Sequence, residues 1–334
     1  MSPQNINSTV NNFVRDNLSP KPTQREYISE KYAELKGFLG NSCFQAGSYA
    51  RYTAIDPVHD LDVIYPIQDA SVQQNPARLI NALRVNLIEQ YKGSPTQVKE
   101  ITAQTHSVTI MFSDSPEGDF SVDVVPAVEL AEKNNYGQPL YSVPEILRMN
   151  HRKRARRYDN SSVNPIGWIK SDPRGYTKAA SDLNDTNSDF RHATKLIKGW
   201  RHACKVAYGG DFKLKSFHLE QIVRLHFEAN PQTTTVEALV GCLSTLPSYM
   251  AKPQIADRAD RSQLIDQYIA ELTKPELDLI LQLQSKATHV ANQVVSSQSA
   301  AEVVEVLHEL LTIEKPRPST PPPRPVTPQQ PWAL

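Results

Sequence analysis

The apolar pattern of this chain changes period part-way along, and that change sets the strongest limit on its fold. Residues 60–125 carry short β-type runs: DLDVIYPI over 60–67, bounded by Pro57 and Pro66, then 97–103, 107–112 and 120–125, with Gly118 in a turn before the last. Runs of this length between turn residues predict strands. A helix interrupts them over 76–91, where Leu79, Ile80, Leu83, Val85, Leu87 and Ile88 fall near helical spacing. An earlier helix is expected over 23–38, with Thr23 as its N-cap and Gly40-Asn41 as its stop. After residue 187 the period becomes helical. Phe190, Ala193, Ile197, Trp200 and Cys204 recur at three and four, and Gly209-Gly210 closes that helix. Further helices are expected over 216–229, 236–246, 262–272, 275–297 and 300–313. The chain therefore reads as an α/β part up to about residue 165, a helical part, and a tail.

At 334 residues the chain is long enough for two domains and a sizeable core. Its 36 Lys and Arg balance 36 Asp and Glu, which argues against a dedicated cationic nucleic-acid binder. Eight of the 25 prolines lie after residue 315, among Ser, Thr and Gln. Such a segment buries too little apolar surface to offset its ordering entropy, so a disordered tail is expected over 316–334. No run of 18 apolar residues occurs, and residues 1–18 lack the basic-then-apolar pattern of a signal peptide. A cytoplasmic protein without a membrane span is expected. Cys43, Cys204 and Cys242 share no ligand-like spacing with a histidine, so they are expected to be small core residues.

The segment GSYARYTAIDPVHDLDV carries the chemistry. Asp60 and Asp62 stand at i and i+2 of a strand, so both carboxylates project from one face while Leu61 and Val63 take the other. Two acids on one face repel each other unless a cation intervenes. Asp123, in FSVDVV, lies in another apolar run and stands beside them if the two strands are neighbours. Three convergent carboxylates suit Mg²⁺, a hard cation that keeps water and substrate phosphate in its shell. A lone DxD pair is more often a solvated strand edge. Gly47-Ser48, eleven residues ahead of Asp60, shifts that balance, because Gly lets backbone N–H groups approach a phosphate and Ser adds a hydroxyl.

Gly47-Ser48, the spacer of eleven, Asp60-Leu61-Asp62 and Asp123 resemble the signature of the polymerase-β-like nucleotidyltransferase superfamily. With SVDVVPAVE downstream and WIKSDP at 168–173, the chain is similar to one branch, the cGAS/DncV-like nucleotidyltransferases or CD-NTases, over roughly residues 25–230. Members of that branch make cyclic di- or trinucleotide second messengers, and bacterial ones serve anti-phage signalling. The resemblance implies an α+β fold: a nucleotidyltransferase domain with a mixed or antiparallel sheet and N-terminal helices over 1–165, packed against a helical nucleotide-binding domain over 166–315. It implies two Mg²⁺ ions on Asp60, Asp62 and Asp123, with Mn²⁺ able to substitute, and NTPs as substrates. Alternatives with the same chemistry are addition to an RNA end or to a protein; an alternative of another class is a catalytically silent scaffold.

On the helix holding Trp200, Arg191, Lys195, Lys198 and His202 fall at i, i+4, i+7 and i+11. By pattern alone this basic stripe is a solvated face more often than a triphosphate grip. The family places a lysine here and a serine at the start of the next helix on the donor triphosphate, which implies Lys198 or Lys195 together with Ser216. Ser216 also reads as a simple N-cap. Phe217 matches a family position that stacks on a base, with core packing an equal reading. The run HRKRARR over 151–157 reads as a solvated charge cluster ahead of a polyanion contact, and as an insertion relative to the family. His59, next to Asp60, is not taken as a base, since metal-activated attack needs no histidine. The tail suits a PPII-binding, regulatory or conjugating partner, and Trp332-Ala333-Leu334 at its end permits the covalent attachment used by some bacterial relatives. A nucleic acid is a candidate activator.

Overall fold

The structure is a computed structural model that describes residues 1–67, 75–145 and 167–313. The basic run at 151–157 and the tail at 316–334 lie outside the described residues.

Two helices open the chain, α1 (Pro3–Asn17) and α2 (Pro22–Leu39). Pro22 opens α2 behind Lys21, so Thr23 sits inside the first turn rather than capping it, and Gly40 ends the helix at φ 86°. There follow β1 (Phe44–Ala46), the short α3 (Gly47–Ala50), β2 (Asp60–Pro66), α4 (Pro76–Lys92), β3 (Val98–Ala103), β4 (Val108–Phe112), β5 (Phe120–Lys133), β6 (Pro139–Pro144) and β7 (Trp168–Ser171). The sheet runs β1-β2-β5-β4-β3, and β6 and β7 extend it from the far half of β5. β2 and β5 are parallel; all other pairs are antiparallel.

Alternation along these strands builds one core. Leu61 and Val63 of β2, Val122 and Val124 of β5, and Val108 and Ile110 of β4 are essentially water-free, packed under Ile28 and Leu35 of α2 and Ile80 and Leu87 of α4. Each such side chain contributes roughly 1.5–3 kcal/mol by burial. The opposite face of the same strands is thereby left to Asp60, Asp62 and Asp123. Position is fixed further by Gln24 of α2, whose amide exchanges two hydrogen bonds with the backbone of Val58 at 3.0 and 3.1 Å, holding the segment that leads into Asp60.

The second layer is α5 (Pro173–Thr186), α6 (Asp189–Tyr208), α7 (Ser216–Ala229), α8 (Thr235–Ala251), α9 (Lys274–Ser296) and α10 (Ala300–Leu311). Trp200, Phe190, Phe212 and Phe227 are fully buried among them. Ile6, Val10, Phe13 and Val14 place α1 in this helical core, while β7, after residue 165, belongs to the sheet. Sequence order and packing therefore interleave around the expected division. Cys43, Cys204 and Cys242 are free and buried.

The expected helix over 262–272 does not form. Its place is taken by a turn, an isolated bridge between Ala256 and Leu264, and a 3₁₀ turn at Gln267–Glu271. The cause is Asp266, whose wholly buried carboxylate accepts the backbone N–H groups of Gln254 and Ile255 at 2.9–3.3 Å and pins the segment across the chain instead of along a helix.

Candidate active site

The acids of β2 and β5 meet because the two strands are parallel neighbours in register. Asp62 stands opposite Asp123, and Asp60 opposite Ser121. Thr109, opposite Asp123 on β4, donates its hydroxyl to the Asp123 carboxylate. Burial, then the charges of Asp60 and Asp123, push the Asp62 carboxyl up to about 6. Asp123 is raised by burial and by Asp60, against the hydrogen bond from Thr109.

Gly47-Ser48 sits directly on these acids. β1 pairs with β2 so that Ala46 faces Asp62, and the chain then turns into α3 through Gly47 at φ 66°. A Cβ on Gly47 would lie 1.7 Å from the Asp62 carboxylate, so only glycine permits this approach. The turn is held from behind, since Thr53 and Ala54 donate their N–H groups to the Ser48 carbonyl at 2.9 and 3.1 Å.

Facing this turn across a cavity of about 550 Å³ are residues of the helical layer, Lys198, Arg201 and His202 from α6 and Ser216, Phe217 and Glu220 from α7. Asp60, Asp62, Gly47, Ser48 and Arg51 line the other wall. Asp123 stands behind Asp62 and is not itself part of the lining. Lys198 is 6 % exposed; its ammonium donates to the Thr53 carbonyl at 2.7 Å and lies 3.5 Å from Glu220. Burial lowers its pKa, and Glu220 opposes that. Glu220 in turn accepts from Arg51 and from the Thr53 hydroxyl. Against the upward push of burial, Arg51 and Lys198 hold its carboxyl below the usual range. One buried carboxylate thus ties together two cavity-lining cations, one from each layer.

The basic stripe of α6 divides. Lys198 and His202 turn to this cavity, whereas Lys195 donates to the Ser19 hydroxyl at 2.9 Å and lines a different cavity. Arg191 lies over the Tyr52 ring, 4.7 Å from its centroid. Lys198 and Ser216 are therefore brought together, and Lys195 is not. Ser216 is the first residue of α7, with Lys215 as N-cap, so its hydroxyl lines the cavity rather than capping the helix. The half-buried Phe217 ring meets Tyr176 edge-on at 5.1 Å and carries the Arg51 guanidinium 5.3 Å from its centroid. His59 also lines the cavity, stacked at 6.2 Å on His202.

Sequence reasoning missed Arg51, Glu220 and Tyr176. A signal existed for two of them: Arg51 lies three residues after Ser48, and Glu220 is one helical turn from Ser216, hence on the same face.

For a divalent cation, the donor chemistry fits. Among the described residues no three acidic, histidine or cysteine side chains already form a cage around one point. Beyond the effect of burial, however, Asp60 and Asp123 raise the proton affinity of Asp62, and Asp60 that of Asp123, the mark of a local negative field that a hard cation relieves.

Residues 5–145 match the family model of the Second Messenger Oligonucleotide or Dinucleotide Synthetase domain. Among solved structures the chain is similar to E. coli MS115-1 CdnC with ATP, at 17% identity and a TM-score of 0.66 over 91% of this chain and 97% of that one. It is similar to Bradyrhizobium diazoefficiens CdnG, a CD-NTase in complex with GTP, at 13% identity and a TM-score of 0.59 over 93% and 98%. Vibrio cholerae DncV, a cyclic AMP-GMP synthase, aligns at 15% identity and a TM-score of 0.57 over 81% and 68%. At these identities the likeness establishes a shared fold. No curated protein matches the chain.

Proposed function

We propose that this chain, whose residues 5–145 match the family model of the Second Messenger Oligonucleotide or Dinucleotide Synthetase domain, is a Mg²⁺-dependent nucleotidyltransferase joining NTPs into a cyclic di- or trinucleotide. The observation that carries this reading is the convergence of Gly47-Ser48 with Asp60 and Asp62 on one wall of a cavity and Lys198 with Ser216 on the other.

The Gly47-Ser48 turn and the Ser216 hydroxyl hold the donor phosphates. Arg51 and Lys198, kept in place by Glu220, neutralise the charge that builds on the leaving pyrophosphate. Phe217 and Tyr176 offer an aromatic wall for a base. Asp60, Asp62 and Asp123 would hold Mg²⁺, or Mn²⁺ in its place, as two ions. When bound, such ions lower the pKa of the attacking 3′- or 2′-hydroxyl and steady the leaving oxygen. In-line attack on the α-phosphate forms a phosphodiester and releases pyrophosphate; a later intramolecular attack on the α-phosphate that still carries its triphosphate closes the ring and releases that pyrophosphate.

A role in bacterial anti-phage signalling follows from the family reading. E. coli MS115-1 CdnC is solved in complex with HORMA-deltaN. A partner protein that regulates or conjugates this chain through its C-terminal tail belongs to the same proposal. No helix among the described residues is long and apolar enough to cross a membrane.

Incubation with four NTPs and Mg²⁺ or Mn²⁺, phosphatase treatment and mass spectrometry test the product class. A phosphatase-resistant cyclic species is expected. Label recovered only in polymer or on protein would overturn the cyclic product while keeping the transfer chemistry.

A further inference from the structure

A separate cavity, of about 410 Å³, opens between the β5–β6 turn, the start of α5, α7 and the chain around residues 254–261. We propose that it binds the phosphate group of a small molecule, outside the catalytic cavity.

Two of its cations stand on the tip of a pinned hairpin. Ile265 donates its N–H to the Ile255 carbonyl and Asp257 to that of Gln263, both at 2.9 Å, while Ser262 and Gln263 donate to Asp260. With Asp266 holding Gln254 and Ile255, the tip from Arg258 to Arg261 has a fixed frame. Arg258 is steadied by two rings, its guanidinium lying 5.5 Å from the Tyr136 centroid and 5.8 Å from that of Tyr176. A ligand that meets donors already in place avoids part of the ordering cost of binding.

The carboxylates of the wall are engaged, and most of its cations are not. Glu132 pairs with Lys170 at 2.5 Å. Asp172 accepts from Asn134 and from the Gly175 N–H at 2.7 and 2.9 Å, and Asp257 from Tyr176 and the Ala259 N–H at 3.3 and 2.7 Å. Among the lining cations Arg224 has a close partner, Glu228 at 2.5 Å. Lys133 and Arg261 are exposed and have no carboxylate within ion-pair distance among the described residues. Arg258 stands 3.8 Å from Asp172, too far for a hydrogen bond, and its Nε is buried with no acceptor. A buried donor without an acceptor, beside two cations without carboxylates, calls for an anion. Phosphate fits better than carboxylate, because its oxygens accept from two guanidinium forks and an ammonium at once.

The cavity meets the catalytic one at Asp257, which lines both. Arg258 also donates its backbone N–H to the Tyr176 hydroxyl at 3.2 Å, and Tyr176 lines the catalytic cavity. Occupancy therefore bears on the aromatic wall there, although the binding itself does not depend on the proposed reaction.

Phenylglyoxal, which condenses with guanidinium groups, reports the site when the full chain is labelled and mapped by peptide mass spectrometry. Inorganic phosphate should protect Arg258 and Arg261 while leaving the exposed Arg78 reactive, and acetate should protect neither. Phenyl phosphate is the second arm: stronger protection than by inorganic phosphate assigns the site to a phosphate monoester, and equal or weaker protection assigns it to the free ion. Lys133→Gln, at an exposed position with no ion pair among the described residues, should raise the half-protecting concentration about tenfold, the loss of one charge-assisted bond. Arg201 reports the catalytic cavity in the same maps. Protection confined to Arg201, protection spread evenly to Arg78, equal protection by acetate, or protection of Arg261 indifferent to Lys133→Gln would overturn the proposal.

Discussion

Gly47→Ala probes the tightest contact of the catalytic cavity. The added Cβ would stand 1.7 Å from the Asp62 carboxylate, where real contacts stay beyond 3.0 Å, so the carboxylate and the turn must separate by about 1.3 Å. A misplacement of about 1 Å in a positioned group costs on the order of 100-fold in rate. The φ of +66° adds about 1–2 kcal/mol of backbone strain for alanine. Gly40→Ala serves as the control, because Gly40 has φ +86° but nothing within 4 Å of its added Cβ. Both variants should lose similar thermal stability, read by scanning fluorimetry. Only Gly47→Ala should lose turnover, by about 100-fold in pyrophosphate release from NTPs. Turnover within threefold of wild type in a folded Gly47→Ala variant would refute the reasoning.

Glu220→Ala strands the buried Arg51 and Lys198 without their shared carboxylate; chemical denaturation should show a loss of about 3–5 kcal/mol, and an unchanged midpoint would refute the latch. Glu220→Gln, which keeps an acceptor, should lose less than Glu220→Ala in the same assay. His218 is buried and held at about 4 by desolvation, despite Asp266 3.8 Å away. Because the unfolded chain takes up this proton near 6.5 and the folded one only near 4, stability should fall as pH drops through that window, by about 3 kcal/mol in all. His218→Gln should flatten this slope in urea titrations at pH 7 and 4.5. Asp266→Ala frees the N–H groups of Gln254 and Ile255, just past the end of α8, and should raise hydrogen exchange at both, with α8 itself unchanged.

Much of this site was legible in the sequence because its core is local. The alternation of Leu61 and Val63 with Asp60 and Asp62 fixes which face each side chain takes, whatever the strand order. Placing Asp123 needed more, namely that β2 and β5 are parallel neighbours, which no local pattern states. The α6 stripe shows the same limit from the other side. Period alone puts Lys195 and Lys198 on one face, yet the junction of α1 and α2 wedges Ser19 against Lys195 and leaves Lys198 to the acids. Strand β1 has only three residues and β7 four, too short for a periodic signal; both exist through pairing with longer neighbours. The failed helix over 262–272 belongs with these cases, since a buried Asp266 side chain outcompetes the local ladder.

The central claim is that Asp60 and Asp62, opposed to Lys198 and Ser216, perform nucleotidyl transfer. Its most direct test is pyrophosphate release from NTPs with Mg²⁺ or Mn²⁺ by the wild type and by Asp60→Ala/Asp62→Ala, each checked for folding by circular dichroism. Release from the wild type is expected, with a loss of about 1,000-fold in the folded double variant, the order seen when transition-state charge loses its partner. Equal release from both proteins would contradict it.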